Sequence, residues 1–260
     1  MRILVAIPAR YASTRFPGKP LALLGGESIV GRVWRTASQV PGVDDVFVAT
    51  DDSRILDHVN TLAGREAALM TSDRHRSGTD RCGEVQQLLA RRGKHYDIVV
   101  NIQGDEPFVE SCQIEALTAC FADPTVQIAT LKTRIRTTDE LLSPNNVKVV
   151  CDDHGRALYF SRQPLPYRRG VEEAQWLEQG EYYKHVGIYA FRADTLPELC
   201  QLKTSALEES EKLEQLRWLA AGYSIHVRTT DHANIGIDTP DDLAAAEAYL
   251  KQSNNNAIKQ

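Results

Sequence analysis

The chain has 260 residues, of which 42% are hydrophobic and 25% are charged, and its formal net charge at pH 7 is −5. This length allows a sizeable core in one large α/β domain or in two unequal ones. A net negative charge without a continuous basic face excludes a general nucleic-acid binder, so any site for an anion has to be local.

Cysteine usage and the shortness of the apolar runs predict a cytoplasmic protein. The cysteines number five, and none of them are spaced as CxxC, which favours free thiols in a reducing compartment and argues against a zinc site. The first residues form a strand pattern and lack the charged and apolar regions of a signal peptide. No apolar run approaches the length of a transmembrane helix, so we expect no membrane insertion.

Short apolar runs alternate with amphipathic segments through the first half of the chain. We predict strands at 3–7, 46–50, 67–70 and 97–102, and helices at 28–39, 53–62 and 78–92. Continuous apolar runs are typical of strands buried on both faces of a parallel sheet. Ser77 and Asp80 form the pattern of a capping box at the start of the third helix. This series predicts a doubly wound sheet whose ligands bind beyond the carboxyl ends of its strands.

The pattern changes in the second half of the chain. We predict strands at 128–135, 147–151, 157–161, 185–191 and 224–229, a hairpin turn at 152–155, and helices at 194–201, 210–221 and 239–252. Thr239 and Pro240 are typical of the N-cap and the first position of a helix. The polar residues 253–260 predict a flexible tail. We therefore predict a single domain over 1–252, with a β-rich insertion at about 125–200 that supplies a substrate or dimer surface.

Three basic residues lie on the loop that follows the first strand. The stretch "IPARYASTRFPGKP" carries Arg10, Arg15 and Lys19 between prolines. Isolated basic residues usually solvate a surface, whereas three on one loop at the carboxyl end of a strand indicate an anion-binding site. The chain contains neither a Walker A sequence nor a GxGxxG fingerprint, which disfavours a dinucleotide-dependent dehydrogenase.

Two acidic residues follow predicted strands. Asp105 comes after Gly104 in "NIQGDEP", and Asp238 stands in "NIGIDTPDDL" just before the last helix. Carboxylates in such places can hold a hard cation such as Mg²⁺ together with the phosphates of a substrate. Taken alone, either residue can also be a polar turn residue. In combination with the basic loop, the two carboxylates indicate nucleotidyl or phosphoryl transfer.

Several motifs along the chain resemble those of a known family. In chain order they are "IPARYASTRFPGKPL", "VATDD", "HRSGTDR", "VNIQGDEP", "NNVKVV", "ALYFSRQPLP", "KHVGIYAFR", "SEKLEQLRWL" and "GIDTPDDL". Together they resemble the 3-deoxy-manno-octulosonate (Kdo) cytidylyltransferases, the CMP-Kdo synthetases of lipopolysaccharide biosynthesis, over nearly the whole chain. The first motif alone resembles the wider group of CMP-sugar synthetases, whereas "YFSR", "HVGIY" and "LEQLR" are similar to the Kdo branch.

This resemblance implies a fold and a reaction. The fold is a three-layer α/β/α fold of the nucleotide-diphospho-sugar-transferase type, with a mixed, mainly parallel sheet. The reaction converts CTP and Kdo to CMP-Kdo and pyrophosphate with Mg²⁺, in a cytoplasmic homodimer. Two alternatives stay open: a sibling cytidylyltransferase for 8-amino-Kdo or another 2-keto sugar acid, and a nucleotide-binding module that has lost turnover.

The resemblance also implies roles for individual residues at the nucleotide. The residues implied for CTP are Ala9, Arg10, Arg15, Lys19, Ser77, Gly78 and Arg81, with the backbone at Ala9 and Arg10 reading the cytosine. Asp105 and Asp238 are implied as Mg²⁺ ligands, and with Lys19 they form the implied catalytic set. Lys19 is suited to this role because pyrophosphate gains negative charge as it leaves. Ser77 has a second reading, as a helix cap.

For the sugar acid, the resemblance implies residues from both halves of the chain. Arg162 and His185 are implied for the carboxylate, and Gln103, Tyr189, Glu214 and Gln215 for the hydroxyls. Simpler alternatives stay open: Tyr189 as a core residue, His185 as a structural histidine, and either Glu214 or Gln215 as a solvated helix residue.

Two further stretches receive no role in the reaction. Segment 168–183 carries no recognisable motif, and we expect it to be a variable loop over the sugar site. Asp51 and Asp52 end a predicted strand, and we expect them to be a turn residue and a helix cap.

Overall fold

The computed structural model describes residues 1–232 and 235–257, with side chains up to residue 252. The strands are β1 (Ile3–Pro8), β2 (Leu23–Leu24), β3 (Glu27–Ser28), β4 (Asp45–Thr50), β5 (Ala68–Met70), β6 (Ile98–Asn101), β7 (Ile128–Arg134), β8 (Lys148–Cys151), β9 (Ala157–Ser161), β10 (Tyr183–Arg192) and β11 (Ile225–Thr229). The helices are α1 (Ile29–Ser38), α2 (Ser53–Ala63), α3 (Gly78–Arg91), α4 (Ser111–Ala119), α5 (Thr138–Leu142), α6 (Trp176–Gln179), α7 (Thr195–Gln201), α8 (Ala206–Glu211), α9 (Gln215–Ala220) and α10 (Pro240–Ala257).

The chain divides into two compact units. Unit 1 comprises Met1–Ile114 and Asn234–Gln260, and unit 2 comprises Glu115–Ala233. Unit 2 is wider than the insertion predicted at about 125–200 because residues 115–124 and the elements α8, α9 and β11 also belong to it. The assignment of one domain to residues 1–252 stays a prediction.

Unit 1 is built on parallel strands in the order β6-β1-β4-β5. Leu4 to Ile7 of β1 are fully buried, as expected for a central strand covered on both faces. Helix α3 packs against β1 and β6, and α1 and α2 pack against β4. Ala6 of β1 lies opposite Asn101 of β6. The loops that follow these two strands therefore emerge side by side at one edge of the sheet.

Side-chain caps start three of the helices of unit 1 where the sequence predicts them. The Ser77 hydroxyl accepts the Asp80 N–H at 3.1 Å, and the Asp52 carboxylate accepts the Arg54 N–H at 2.9 Å. The Thr239 hydroxyl accepts the N–H of residue 242 at 3.2 Å. Each cap satisfies a backbone donor that has no partner inside its helix.

Unit 2 contains a mixed set of strands. Strand β7 pairs in parallel with β11 and antiparallel with β10, while β8 pairs antiparallel with both β10 and β9. The predicted hairpin turn at 152–155 is confirmed, because the Asp152 N–H donates to the Arg156 carbonyl at 2.8 Å. The predicted mixed, mainly parallel sheet with covering helices is confirmed as well.

The helix predicted at 210–221 is wrong, because the chain breaks there into α8 and α9. Lys212, between them, has a φ angle of 54°. The Arg162 Nε donates to the Glu211 carbonyl at 2.7 Å, and its Nη2 lies 3.5 Å from the Lys212 carbonyl. This side chain thus takes up carbonyl groups that a continuous helix would use internally.

Segment 168–183, for which we predicted a variable loop over the sugar site, is partly ordered by apolar packing, and its place over the sugar stays a prediction. It contains the short helix α6, and Trp176 at the start of that helix is buried in a small cluster with Ile135, Leu141 and Tyr182. The indole N–H of Trp176 donates to the Val171 carbonyl at 3.0 Å. The segment is therefore held by apolar contacts with Ile135 and Leu141, which lie outside it.

The end of the last helix and the α4 region also differ from the prediction. Helix α10 runs to Ala257 instead of ending at 252, so residues 253–257 are helical and 258–260 lie outside the described residues. Helix α4 was not predicted, because its sequence lacks a clear apolar stripe. Among the helices that the structure describes, none combines the length and the apolar character needed to cross a membrane.

Candidate active site

The loop after β1 is folded back on itself by its own backbone. The Tyr11 carbonyl accepts the N–H groups of Ser13 and Gly18, both at 3.0 Å. Gly18 has a φ angle of +73°, and a Cβ there would lie 3.0 Å from the Tyr11 ring. Only glycine takes this turn without strain. The turn brings Lys19 to the start of a 3-10 helix (Lys19–Leu21), where it is 7% exposed.

The predicted cations and carboxylates meet at this loop. Lys19 Nζ donates to Asp105 Oδ2 at 2.6 Å and to Asp238 Oδ1 at 3.0 Å. Arg15 Nη2 lies 3.0 Å from the other oxygen of Asp238. The three residues that we predicted to be catalytic are thus joined in one network, and Arg15 extends it towards solvent.

Gly104 allows the β1 and β6 ends to approach closely enough for this network. Its N–H donates to the Pro8 carbonyl at 3.1 Å. A Cβ at Gly104 would lie 2.8 Å from that carbonyl oxygen, a distance that side chains do not tolerate. Because the two loops touch here, Asp105 stands next to the basic loop.

A cavity of about 280 Å³ opens beside this network. All of the residues predicted for CTP line it, as do both predicted metal ligands and Gln103. They are Ala9, Arg10, Arg15, Lys19, Ser77, Gly78, Arg81, Gln103, Asp105 and Asp238. Residues from four separate stretches of the sequence thus belong to one cavity within unit 1.

The start of α3 forms one wall of the cavity. Ser77 both caps the helix and lines the cavity, so its two predicted roles are compatible. The N-terminus of a helix carries partial positive charge and unpaired N–H groups, which favour a bound anion.

Arg81 lines the same cavity but its guanidinium is held by the protein. Nη2 donates to Asp51 Oδ2 at 2.9 Å, and Nη1 donates to the Thr71 hydroxyl at 2.7 Å. Asp51 is therefore an ion-pair partner and not only the turn residue that we predicted. Its neighbour Asp52 is the helix cap that we expected.

Two basic side chains of the cavity, His75 and Arg76, were not predicted. His75 Nε2 lies 2.5 Å from Glu84 Oε2, and the Ser72 N–H donates to the same oxygen at 2.8 Å. Burial alone would raise the pKa of Glu84, but these two partners hold it below its usual value. His75 and Arg76 could have been predicted from their position, because they directly precede Ser77, the N-cap of α3.

The donor set at the carboxylate pair fits a hard divalent cation. No group of three or more His, Cys, Asp or Glu side chains is placed to hold a metal within the described parts of the chain. Mg²⁺ needs fewer, since it commonly uses one or two carboxylates and completes its shell with water and phosphate oxygens. Asp105 and Asp238 already converge on one positive charge, the ammonium of Lys19, so their geometry suits a shared cation.

Most of the residues predicted for the sugar acid belong to unit 2, where Arg162 has a structural task. Its guanidinium bonds the carbonyls of Pro144, Glu211 and Lys212, at 2.9, 2.7 and 3.5 Å. These bonds fix the chain between α8 and α9, which leads to Glu214 and to Gln215 at the start of α9. Its role toward a sugar carboxylate stays a prediction.

His185 and Tyr189 lie together in an aromatic cluster of unit 2. His185 Nε2 is 2.9 Å from the Thr130 hydroxyl, and burial lowers the pKa of His185 to about 3. His185 is therefore neutral at pH 7 and offers hydrogen bonds instead of a charge. Tyr189 packs edge-on against Trp218 with ring centroids 5.0 Å apart. Its hydroxyl is buried and lacks a hydrogen-bond partner among residues 1–232 and 235–252.

Comparisons with known proteins agree on one family. The cytidylyltransferase family model matches residues 4–225. The 3-deoxy-manno-octulosonate cytidylyltransferase of Phocaeicola vulgatus is 51% identical over 255 residues, which are 97% of this chain and 98% of that protein. The protein of the same name from Thermodesulfovibrio yellowstonii is 45% identical over 253 residues, or 96% and 98% of the two chains.

Solved structures are also similar to this chain. A CMP:2-keto-3-deoxy-manno-octonic acid synthetase complexed with CTP superposes with a TM-score of 0.88 at 41% identity, covering 97% of this chain and 100% of that one. A 4-diphosphocytidyl-2C-methyl-D-erythritol synthase from Anaerococcus prevotii has a TM-score of 0.62 at 16% identity, covering 96% of each chain. The second likeness shows a common fold alone.

Proposed function

The chain belongs to the cytidylyltransferase family, and we propose that it transfers the cytidylyl group of CTP to Kdo for lipopolysaccharide biosynthesis, releasing pyrophosphate. One observation carries this proposal: Lys19, Asp105 and Asp238 converge at the edge of a cavity formed by strand ends. Binding a nucleotide does not require a pair of carboxylates around a buried cation. The pair favours an enzyme over a nucleotide-binding module without turnover.

In this proposal CTP binds in the cavity of unit 1. Its phosphates contact the basic loop and the N-terminus of α3, where Gly78 follows the Ser77 cap. Arg10 is exposed and Arg15 has a side chain that is 63% exposed, so both can reach an entering nucleotide. The backbone at Ala9 and Arg10 reads the cytosine ring.

The reaction is an in-line displacement at phosphorus. The anomeric hydroxyl oxygen of Kdo forms a bond to the α-phosphorus and gives up its proton. The bond between the α-phosphorus and the bridging oxygen to the β-phosphate breaks, and its electron pair leaves with pyrophosphate. Lys19 stabilises the negative charge that grows on the phosphates, which is worth more in a buried site than in water.

We propose Mg²⁺ as the cofactor, with Asp105 and Asp238 as its protein ligands. Their side chains are 34% and 50% exposed, which leaves room for water and phosphate oxygens beside them. When bound there, the ion neutralises phosphate charge and makes the attacking hydroxyl more acidic.

The sugar acid is bound by groups that differ in character. Gln103 lines the cavity and donates through Nε2 to Asn101 at 3.1 Å, which leaves its carbonyl for a hydroxyl. His185 acts as a neutral hydrogen-bond partner because of its low pKa. The buried Tyr189 hydroxyl gains a partner from the sugar, since a buried polar atom without one is costly. Arg162 orders the segment that presents Glu214 and Gln215.

We further propose a homodimer in the cytoplasm. Cys82, Cys112, Cys120, Cys151 and Cys200 are free thiols, which supports a reducing compartment. Leu158 and Tyr167 of unit 2 are large hydrophobic side chains that are 62% and 73% exposed, and we propose that they take part in the dimer contact.

Pyrophosphate release tests the proposal. We expect release that depends on both CTP and Kdo. A panel with 8-amino-Kdo and other 2-keto sugar acids separates the siblings, and turnover of 8-amino-Kdo in strong preference to Kdo would overturn the assignment of the sugar. Binding of CTP without release with any sugar acid would identify the protein as a nucleotide-binding module.

A further inference from the structure

The charged groups assigned to the substrate and to the metal are paired with each other. Lys19 Nζ bonds both Asp105 and Asp238, at 2.6 and 3.0 Å, and Arg15 bonds the second oxygen of Asp238 at 3.0 Å. Two cations and two anions thus neutralise each other within the protein. In the proposed function, the same two cations have to face phosphates and the same two carboxylates have to face a divalent cation.

Asp105 and Asp238 cannot pair with Lys19 and hold a divalent cation at the same time. Its side chain is only 9% exposed, and a buried ammonium has to be paired because an unpaired buried charge is strongly destabilising. The ammonium lies within hydrogen-bond distance of both carboxylates. A metal ion shared by these carboxylates would be attracted to the same position. A divalent cation and the ammonium would also repel each other strongly at such distances.

We infer that Lys19 is the resident cation of the carboxylate pair, and that a divalent cation has to compete with it for Asp105 and Asp238. This inference rests on the proposed function, in which these carboxylates bind Mg²⁺. Lys19 leaves the carboxylates when the phosphates of CTP accept its ammonium. The nucleotide and the divalent cation therefore bind with positive coupling, and each raises the affinity for the other by the same factor.

Lys19 therefore has two tasks that a simple phosphate-binding lysine does not have. It keeps the carboxylates from holding a metal when no nucleotide is bound, and it moves to the phosphates when both ligands arrive together. The first task leads to an unusual prediction. Removing the Lys19 ammonium should strengthen the binding of the divalent cation.

The experiment measures Mn²⁺ binding to the protein without nucleotide, from the electron paramagnetic resonance signal of free Mn²⁺. We expect Lys19→Met and Lys19→Gln to bind Mn²⁺ about tenfold more tightly than the wild type, or better. Glutamine keeps a donor toward the carboxylates, so it preserves the loop if methionine does not. The control Lys203→Met removes the same charge from an exposed position and should leave the Mn²⁺ affinity within about twofold.

The double variant Lys19→Met with Asp105→Asn locates the gained affinity. It should lose the gain if Mn²⁺ binds at the carboxylate pair, and retention of the gain would overturn the inference. Equal affinities of the wild type and both single variants would overturn it as well. Pyrophosphate release by the wild type in EDTA would count against the metal in the proposed function. Unchanged Mn²⁺ affinity beside metal-dependent turnover would count against the inference alone.

Discussion

Asp105 reaches Lys19 because the residue before it has no side chain. A Cβ on Gly104 would stand 2.8 Å from the Pro8 carbonyl oxygen, and backbone atoms on both sides leave little freedom to move apart. We predict that Gly104→Ala lowers the free energy of unfolding by about 1–3 kcal/mol, measured by urea denaturation. The control Gly187→Ala has no atom within 4 Å of its added carbon. An equal loss in both variants would contradict the role of the close approach.

The two carboxylates provide the second test at the level of single residues. Asparagine keeps the shape of aspartate but removes the charge that a divalent cation needs. We predict that Asp105→Asn and Asp238→Asn each remove most of the pyrophosphate release at saturating Mg²⁺. Asp241→Asn, at an exposed position three residues further along, should keep near-normal turnover. Normal turnover in either of the first two variants would show that its carboxylate is not a metal ligand.

Lys19 should affect turnover more than nucleotide binding. Interactions that strengthen in the transition state appear in kcat, whereas uniform binding appears in KM. We predict that Lys19→Met lowers kcat by about 10²–10³-fold and raises the KM for CTP by less, in steady-state kinetics at saturating Kdo. A large increase in KM with unchanged kcat would instead identify Lys19 as an anchor for the triphosphate.

At the level of elements, the break between α8 and α9 stores a local strain. Lys212 has a φ angle of 54°, a conformation that costs a residue with a Cβ about 1–2 kcal/mol. We predict that Lys212→Gly raises the free energy of unfolding by about 0.5–1 kcal/mol, since the greater freedom of glycine in the unfolded chain offsets part of the gain. Urea denaturation measures this gain in the free energy of unfolding. Lys203→Gly, without a positive φ angle, should give no gain, and a gain of similar size there would contradict the explanation.

The elements of unit 1 could be predicted because their signals are local. Strands β1, β4 and β6 are continuous apolar runs, and the helix caps Asp52, Ser77 and Thr239 stand in the sequence beside the helices that they start. The break at α8–α9 had no such signal. It is imposed by Arg162, which lies about 50 positions earlier in the chain. The packing of Trp176 likewise depends on partners outside its own segment.

The candidate site, too, could be predicted only in part from the sequence. Which residues meet could be predicted, because loops at the carboxyl ends of parallel strands share one edge of the sheet. How these residues pair with one another could not be predicted. The bonds of Lys19 to the two carboxylates, and that of Arg81 to Asp51, depend on distances that no motif records. His75 and Arg76 were missed because the capping pattern beside them explained the stretch.

For the molecule as a whole, His185 makes stability depend on pH. Burial lowers its pKa from 6.5 to about 3, so below pH 6.5 the unfolded chain binds a proton that the native protein does not. The free energy of unfolding should therefore fall as the pH falls from about 6.5 towards 3, by at most about 1.4 kcal/mol per pH unit from this residue.

Urea denaturation between pH 7 and pH 5 measures this dependence. His185→Gln should flatten the decline, because glutamine does not titrate. The exposed His154 offers the control His154→Gln, which should retain the slope of the wild type. An unchanged slope in His185→Gln would show that the residue takes up its proton in the native protein as readily as in the unfolded chain.

The bond between Lys19 and Asp238 spans 219 positions of sequence. During translation the basic loop and Asp105 leave the ribosome early, whereas Asp238 emerges when most of the chain has been made. The Ile237 N–H then donates to the Asp105 carbonyl at 3.0 Å, which fixes the late segment beside the early one. A nascent or prematurely terminated chain therefore lacks one half of its carboxylate pair. In the proposed function, a fragment that stops before Asp238 cannot complete the carboxylate pair, and we expect it not to consume CTP.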